Sequence, residues 1–395
     1  MKNTLCLITC VVSAATLFSL SCSSRSVDLD KRVDHALNYS VEQLKKSVAA
    51  IQDPQKFARN TNPDGTWKTT DMYGWTSGHF PGCLWYAYEY SKDESLKEAA
   101  IRWTEALEPV KDYTGNHDVG FMMYCSYGNG LRLTGNTAYP QILIKSAQSL
   151  AMRYKRTTGL IQSWNSNDRW QYPVIIDNMM NLELMFYAAK NGGFSELYLI
   201  AEEHALATMK NHVRENGSTF HVVDYDPETG AVRGKYTAQG YADDSTWSRG
   251  QAWGLYGYTM TYRETKNPVF LKTACRQADF FIDNLPGDYI PYWDFFAPNI
   301  PDELRDSSAA AIAASGLLEL STLVTDKQAS EKYHRTALNI LSSLCSPDYL
   351  TEGTGSAGIL RHGVGSLPGK SEVDVSLIYG DYYFLEALLR YKRGI

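Results

Sequence analysis

Positive charge is in short supply along this chain, and no run of Lys and Arg makes up for it locally. With 38 Lys and Arg against 44 Asp and Glu the formal net charge is -6, so nothing draws a phosphate backbone or an anionic membrane surface to it. Nucleic acid is thereby excluded as a partner. An acidic small ligand is not, because one or two cations placed in a pocket suffice where a surface field is absent. Cysteine is sparse as well. Of seven, Cys6, Cys10 and Cys22 fall near the N-terminus, while Cys83, Cys125, Cys275 and Cys345 are scattered among apolar neighbours without paired metal spacing. They read as small buried hydrophobes, not as a disulfide framework or a zinc site. His117, His221 and His362 form no His-x-x-x-His pair, and Ser77-Gly78 lacks the strand-turn-helix setting of a nucleophile elbow. The glycines of 353–369 follow no strand that would make them a phosphate loop. No metal and no cofactor is expected.

The apolar stretch at 5–20 is short for a bilayer-spanning helix; it follows Lys2 and ends in Ser21, Cys22, Ser23 and Ser24. Residues 1–22 are therefore expected to be a lipoprotein-type export signal, although Ser19-Leu20-Ser21 fits a strict lipobox poorly. Any membrane contact would run through a lipid anchor at Cys22. A short linker at 23–30 would lead into a single catalytic domain, 31–395, of a protein exported to the periplasm or anchored at the outer membrane.

What the chain does have is a repeat. A segment dense in Gly, Ala, Tyr and Trp recurs, ends in a turn, and is followed by an amphipathic helix. The turns lie at 90–93, 133–136, 190–193, 264–267 and 324–327. After them, apolar residues at three-and-four spacing, such as Leu96, Ala99, Ala100, Trp103 and Leu107, mark outer helices. Before them, segments such as 120–133, 177–189, 247–262 and 307–320 are apolar nearly all round and must be buried on most sides. A sixth copy at 373–391 closes the chain, and the early helix at 33–51 has no inner partner of its own, so the two ends complete a ring. The expected fold is all-α, an (α/α)6 barrel of six helical hairpins. One interruption, 219–240, alternates like strands around Asp-Pro-Glu-Thr-Gly and predicts a small β-hairpin over one mouth.

In such a ring the N-terminal ends of the inner helices converge on one face, and that is where polar residues recur. Trp75, Ser77 and His79 open the first, Asn116, His117 and Asp118 the second, Asp177 and Asn178 the third, Ser245, Trp247 and Arg249 the fourth, Asp306 and Ser307 the fifth. A single Asp there is explained equally well as a helix cap. Several in one ring, with Trp75, Trp164, Trp170, Trp247, Trp253 and Trp293 beside them, point to a shared pocket. Indole faces stack on sugar rings while polar side chains take the hydroxyls. Glycoside chemistry ordinarily uses two carboxylates, and Asp118 and Asp177 are the pair; Trp253, one turn into its helix, serves equally well as barrel filling.

The motifs His117-Asp118-Val-Gly-Phe121, Asp177-Asn-Met-Met-Asn181, Gln239-Gly240, Ser245-Thr-Trp-Ser-Arg-Gly-Gln-Ala-Trp253 and Asp374-Val-Ser-Leu-Ile-Tyr-Gly-Asp-Tyr-Tyr383 resemble, in order, the unsaturated glucuronyl hydrolases. The resemblance implies the six-hairpin barrel and a substrate made by polysaccharide lyases, an oligosaccharide with an unsaturated uronic acid at its non-reducing end, glycosaminoglycan-type. It implies hydration of the C4=C5 double bond in place of attack at the anomeric carbon. Asp177 would protonate C4 and assist water at C5, and Asp118 would hold or polarise the reacting region. By the same resemblance Trp75, His117, Trp164, His221, Gln239, Arg249 and Trp253 would contact substrate, with Arg249 the cation for the uronate carboxylate. Ser366 and Lys370, in the loop 362–370, stand near where some relatives bind a sulfate. Two other readings remain open, an inverting glycosidase on saturated uronide or rhamnogalacturonan fragments and a non-catalytic glycan-binding lipoprotein.

Overall fold

The segment Ser307–Leu323 offers no polar face, and the fold answers by surrounding it. The computed structural model describes residues 9–395, with side chains from Asp28 onward. The elements, in chain order, are α1 (Thr9–Ile51), β1 (Phe57–Thr61), β2 (Trp67–Thr70), α2 (His79–Ser91), α3 (Glu94–Glu105), α4 (Val119–Met123), α5 (Asn129–Thr134), α6 (Tyr139–Ala151), β3 (Tyr154–Lys155), β4 (Leu160–Ile161), β5 (Pro173–Ile175), α7 (Leu182–Lys190), α8 (Glu196–His212), β6 (Val222–Tyr225), β7 (Val232–Tyr236), α9 (Ser248–Thr265), α10 (Pro268–Asp283), α11 (Ser307–Leu323), α12 (Lys327–Leu344), β8 (Gly363–Ser366), β9 (Ser371–Val375) and α13 (Ile378–Arg393). A π-helical turn, Tyr124–Gly128, joins α4 to α5, and a 3-10 turn, Ile176–Asn181, leads into α7.

Six inner segments (α2, α4–α5, the Ile176–Asn181 turn with α7, α9, α11, α13) alternate with six outer helices (α1, α3, α6, α8, α10, α12). The ring closes because α13 packs on α2 and α1 as well as on α11. Two inner helices, α11 and α9, are buried on every side over most of their length: all of Ser307–Ser321 and Ser248–Thr261 are out of solvent. Outer helices show one buried stripe, as in α3, where Leu96, Ala99, Ala100, Trp103 and Thr104 face inward. The turns between them follow the sequence signals: Lys92 and Lys266 end their helices in left-handed backbone, and Asp93 and Asn267 then cap the next helix through their side chains. The four body cysteines are free thiols, three of them buried.

Several expectations need correction. Residues 23–30 are not a linker, since α1 runs through them without a break; Ser-Ser-Arg-Ser-Val-Asp-Leu-Asp holds no Gly or Pro to stop a helix, and Leu29 is buried. The hairpin at 219–240 forms as β6–β7 but gains a third strand, β5, giving the order β5-β6-β7. Its apolar residues Val222 and Val223 are both buried because each face is covered. The last inner segment does not begin as a helix at 373: that stretch is β9, in which Glu372 and Asp374 sit at positive φ, and the helix starts at Ile378. Its partner β8 shows that 362–370 is half a hairpin, not a loop. A further hairpin, β1–β2, carries no alternation strong enough to announce it. Residues 1–8 and the side chain of Cys22 lie outside the described residues.

Candidate active site

Three aspartates occupy equivalent helix starts, and only one of them behaves as a cap. Asp306 accepts from Ser308 N at 3.0 Å and from the Ser308 hydroxyl at 2.6 Å, and its other oxygen pairs with Arg249 at 2.9 Å. Asp118 stands at the cap position of α4 and Asp177 in the first turn of the 3-10 segment, and neither makes a side-chain cap bond. Asp177 Oδ1 is buried with no hydrogen-bond partner among the described residues. A buried acceptor left idle costs stability, so these two carboxylates are not explained by helix ends.

Far apart in the chain, they meet because α4 and the 3-10 turn approach backbone to backbone. A Cβ on Gly120 would lie 2.5 Å from Asn181 Cα, and the Asn181 side chain accepts from Phe121 N at 2.9 Å. Both carboxylates then line one cavity of ≈ 240 Å³ together with Trp75, His117, Trp164, Gln239, Arg249, Ser366 and Tyr379. That is less than the roughly 300–1,000 Å³ of sites for drug-sized ligands, and suits end-on entry by a terminal sugar. Larger clefts lie between α1 and 351–357 and at the opposite end of the barrel, but neither has an indole wall.

Burial dominates the electrostatics. It pushes the Asp118 carboxyl up to about 8, with the charge of Asp177 adding to the effect and Arg153 opposing it. It pushes Asp177 up to about 7 against the pull of Arg249. Both are 8% exposed, so a proton on either near neutral pH follows from geometry. Burial also holds His117 and His221 down to about 3, which makes them neutral donors or acceptors and not cations. For His221 the tautomer is settled: Nδ1 accepts from the backbone N–H of Ala238 and Gln239 at 3.2 and 3.3 Å, leaving Nε2–H directed at Asp177 Oδ1, 3.9 Å away. His117 Nε2 is 3.3 Å from Asp118 Oδ1.

The remaining expected residues divide. Trp75 and Trp164 are half-exposed on the wall, Trp75 against Tyr379 and Trp164 against Trp170, with ring centroids 4.7 and 5.3 Å apart. Gln239 is on the wall, its amide donating to Gly365 O at 2.9 Å. Trp253 is not a sugar platform: it is fully buried against Phe121 and Tyr383, its N–H close enough to Asp177 to favour the carboxylate without a well-aligned hydrogen bond. It sits a full turn inside α9, where the barrel leaves no solvent path. Arg249 lines the cavity but does not hold out a free fork. It is 1% exposed, with Nη1 on Asp306 and Val364 O and Nη2 on Gly365 O at 2.6 Å. Those bonds pin β8 over the mouth. Ser366 reaches the wall, whereas Lys370 is exposed at the hairpin turn and off it. Arg59, Ile175, Ser371, Glu372 and Tyr379 line the cavity without having been singled out. Tyr379 lay within a quoted motif; Arg59 and Glu372 had no signal in the sequence.

A helical barrel whose acidic mouth is walled by indoles defines a carbohydrate-active hydrolase. The particular kind follows from likeness to known proteins: the sequence matches the model of Glycosyl Hydrolase Family 88 over residues 40–387, and the chain belongs to that family. It is 46% identical over 321 residues to an unsaturated glucuronyl hydrolase of Formosa agariphila, covering 80% of this chain and 79% of the relative. It is 34% identical over 370 residues to one from Bacillus sp. (strain GL1), covering 92% and 96%. A crystal structure of an unsaturated glucuronyl hydrolase specific for heparin superposes with TM-score 0.89 at 44% identity, across 92% of this chain and 98% of that one. The chain is thus a glycoside hydrolase on an (α/α)6 barrel.

Proposed function

We propose that this enzyme removes an unsaturated uronic acid from the non-reducing end of lyase-generated glycosaminoglycan fragments by hydrating the C4=C5 bond. The observation that carries the reading is the pair of buried carboxylates, Asp118 and Asp177, in one indole-walled cavity, with Asp177 Oδ1 left without a hydrogen-bond partner among the described residues. Family membership and relatives named for unsaturated glucuronyl and chondroitin disaccharide substrates support it.

In the reaction, protonated Asp177 gives its proton to C4. Water adds at C5 and passes a proton back to the Asp177 carboxylate, so the acid is regenerated. The product is a hemiketal at C5. Breaking its ring C5–O bond leaves a ketone at C5 and a hemiacetal at C1, which collapses to an aldehyde and frees the next sugar with its glycosidic oxygen. No covalent glycosyl-enzyme forms, so the separation of the two carboxylates does not set stereochemistry as it does for ordinary glycosidases. An anionic substrate entering beside Asp177 disfavours the charged carboxylate and so keeps the acid loaded. The Asp118 carboxyl faces the reacting region from the cavity wall, the neutral Nε2–H of His221 stands 3.9 Å from Asp177 without itself lining the cavity, and Trp75 and Trp164 supply stacking faces.

The test is the ultraviolet absorbance of the conjugated double bond in a heparin or chondroitin lyase digest. Wild type is expected to abolish it and Asp177→Asn to leave it. Release of sugar from saturated substrates would instead identify an ordinary inverting glycosidase, and tight binding with no turnover a glycan-binding protein.

The proposal extends to location: an exported, lipid-anchored enzyme of the periplasm or outer membrane, supported by the apolar stretch at 5–20 and by Cys22 after it. The full chain is expected in the membrane fraction and Cys22→Ser in the soluble one; equal partitioning would remove the anchor.

A further inference from the structure

The two arginines on the cavity wall are held in opposite ways. Arg249 has both terminal nitrogens on protein acceptors, so a bidentate end-on clamp by its fork is already occupied. Arg59 donates only through Nε, to Glu372 Oε1 at 2.5 Å, and its Nη1 and Nη2 have no partner among the described residues. Its side chain is 31% exposed and lines the same cavity.

Two backbone irregularities aim this pair. The β1–β2 register slips between Ala58 and Asn60, making Arg59 the extra residue of a bulge, a device that re-aims a side chain beside a site. Opposite it, Glu372 sits in β9 at φ 57, a costly backbone for a non-glycine residue. Room for its carboxylate exists because position 365 has no side chain: a Cβ on Gly365 would lie 2.4 Å from Glu372 Oε2. Glu372 on Nε fixes the guanidinium plane and leaves the planar pair of terminal amines open, the geometry that takes an oxyanion bidentately.

We infer that Arg59, oriented by Glu372, is a specificity residue that binds an oxyanion, a sulfate above all, on the sugar next to the unsaturated uronate. The neighbouring sugar is favoured over the uronate itself by position. Arg249, on the inner helix α9, is 1% exposed with β8 bonded across it, whereas Arg59, on the β1–β2 hairpin, is 31% exposed and so stands toward the open mouth, where the second sugar leaves the cavity. Ser366 and Ser371 stand on the wall beside Arg59 to take further sulfate oxygens.

This rests on the proposed hydrolase reading, and the experiment separates the two. The kcat/KM of wild type, Arg59→Met, Arg59→Lys and Glu372→Gln is measured on unsaturated uronyl-hexosamine disaccharides that differ only in being unsulfated, N-sulfated or 6-O-sulfated. Binding of the same set is measured by calorimetry in an Asp177→Asn background. The preference for at least one sulfated member over the unsulfated one is expected to fall about tenfold in Arg59→Met, through KM, and only partly in Arg59→Lys. Glu372→Gln keeps an acceptor for Nε but removes the competing charge, so the same preference is expected to rise. A purely structural ion pair would lower both variants together, which would overturn the assignment. Sulfated and unsulfated members weakened equally by Arg59→Met would move the anion to the uronate and equally refute it. If wild type turned over none of the disaccharides, the hydrolase reading would fall, while the ratio of dissociation constants would still decide Arg59.

Discussion

The two ends of this barrel bury charge to a similar depth and treat it differently. At the far end, Arg263 bridges Glu183, Glu264 and Glu319, and Arg390 meets Glu319, the Tyr256 hydroxyl and the Ser315 carbonyl. Glu386 in turn accepts from Tyr86, Tyr256 and Ser315. Glu319 stays below the usual carboxylate range there because Arg390 and Arg263 outweigh its burial. At the mouth, Asp118 and Asp177 are as buried, have neutral histidines for neighbours, and go up instead. Burial alone therefore says nothing about role. The partner decides: a compensated buried charge holds helices together, and an uncompensated one is held ready for a ligand.

The largest effect should come from removing the idle acid. Asp177→Asn is expected to lower kcat by about 10³-fold or more, in keeping with loss of a general acid, while the melting temperature stays the same or rises. A variant that lost activity only in proportion to lost folded protein would make the mouth a structural site like the far end. The mirror experiment is Arg390→Met. Leaving Glu386 without its cation and Glu319 with Arg263 alone is expected to cost about 3–5 kcal/mol of stability, read by denaturant titration, with the KM of the remaining folded enzyme unmoved.

A pH comparison sharpens the same contrast. The Asp118 carboxyl is raised to about 8 in the fold, so the folded state keeps a proton that the unfolded chain has released. Stability is therefore lost as pH climbs from the ordinary Asp range toward 8. Asp118→Asn cancels this, and should gain about 1–3 kcal/mol over wild type at pH 8 while matching it near pH 4. Turnover should likewise fall above pH 7 as Asp177, raised to about 7, loses the proton it must donate. Activity that kept rising to pH 9 would assign the acid elsewhere.

How much of this could be read beforehand follows from what the sequence encodes locally. Helices with no polar face, such as 307–323, and helices with one apolar stripe, such as 94–105, alternate visibly along the whole chain, which is why the ring, and the convergence of Asp118 and Asp177 on its mouth, could be inferred. The short hairpins could not. β1–β2 and β8–β9 owe their shape to a bulge at Arg59 and to left-handed backbone at Lys370, Glu372 and Asp374, and charged residues at positive φ leave no pattern of period two or 3.6. For the same reason Arg59 and Glu372 went unseen. Arg249 illustrates a different limit: its presence at the mouth was legible, but what occupies its donors depends on Asp306 and on the backbone of 364–365, which only the closed ring brings together.

The smallest effect expected concerns Lys370, whose side chain stands at the exposed turn of β8–β9 and not on the cavity wall. A solvated ammonium on a flexible stem contributes little to an anion it reaches only through water. Lys370→Ala is expected to change the sulfated-to-unsulfated kcat/KM ratio by no more than about twofold, an effect that added salt should erase. Its backbone matters more than its charge, because φ is 50 at this residue, a conformation that glycine adopts without the steric cost a Cβ brings. Lys370→Gly should therefore leave the hairpin intact or firmer, and leave Ser366 and Glu372 where they are. If instead both substitutions removed sulfate preference as strongly as Arg59→Met, the anion would be read at the rim of the mouth and not inside it. The oriented arginine on the cavity wall would then belong with the structural ion pairs of the far end.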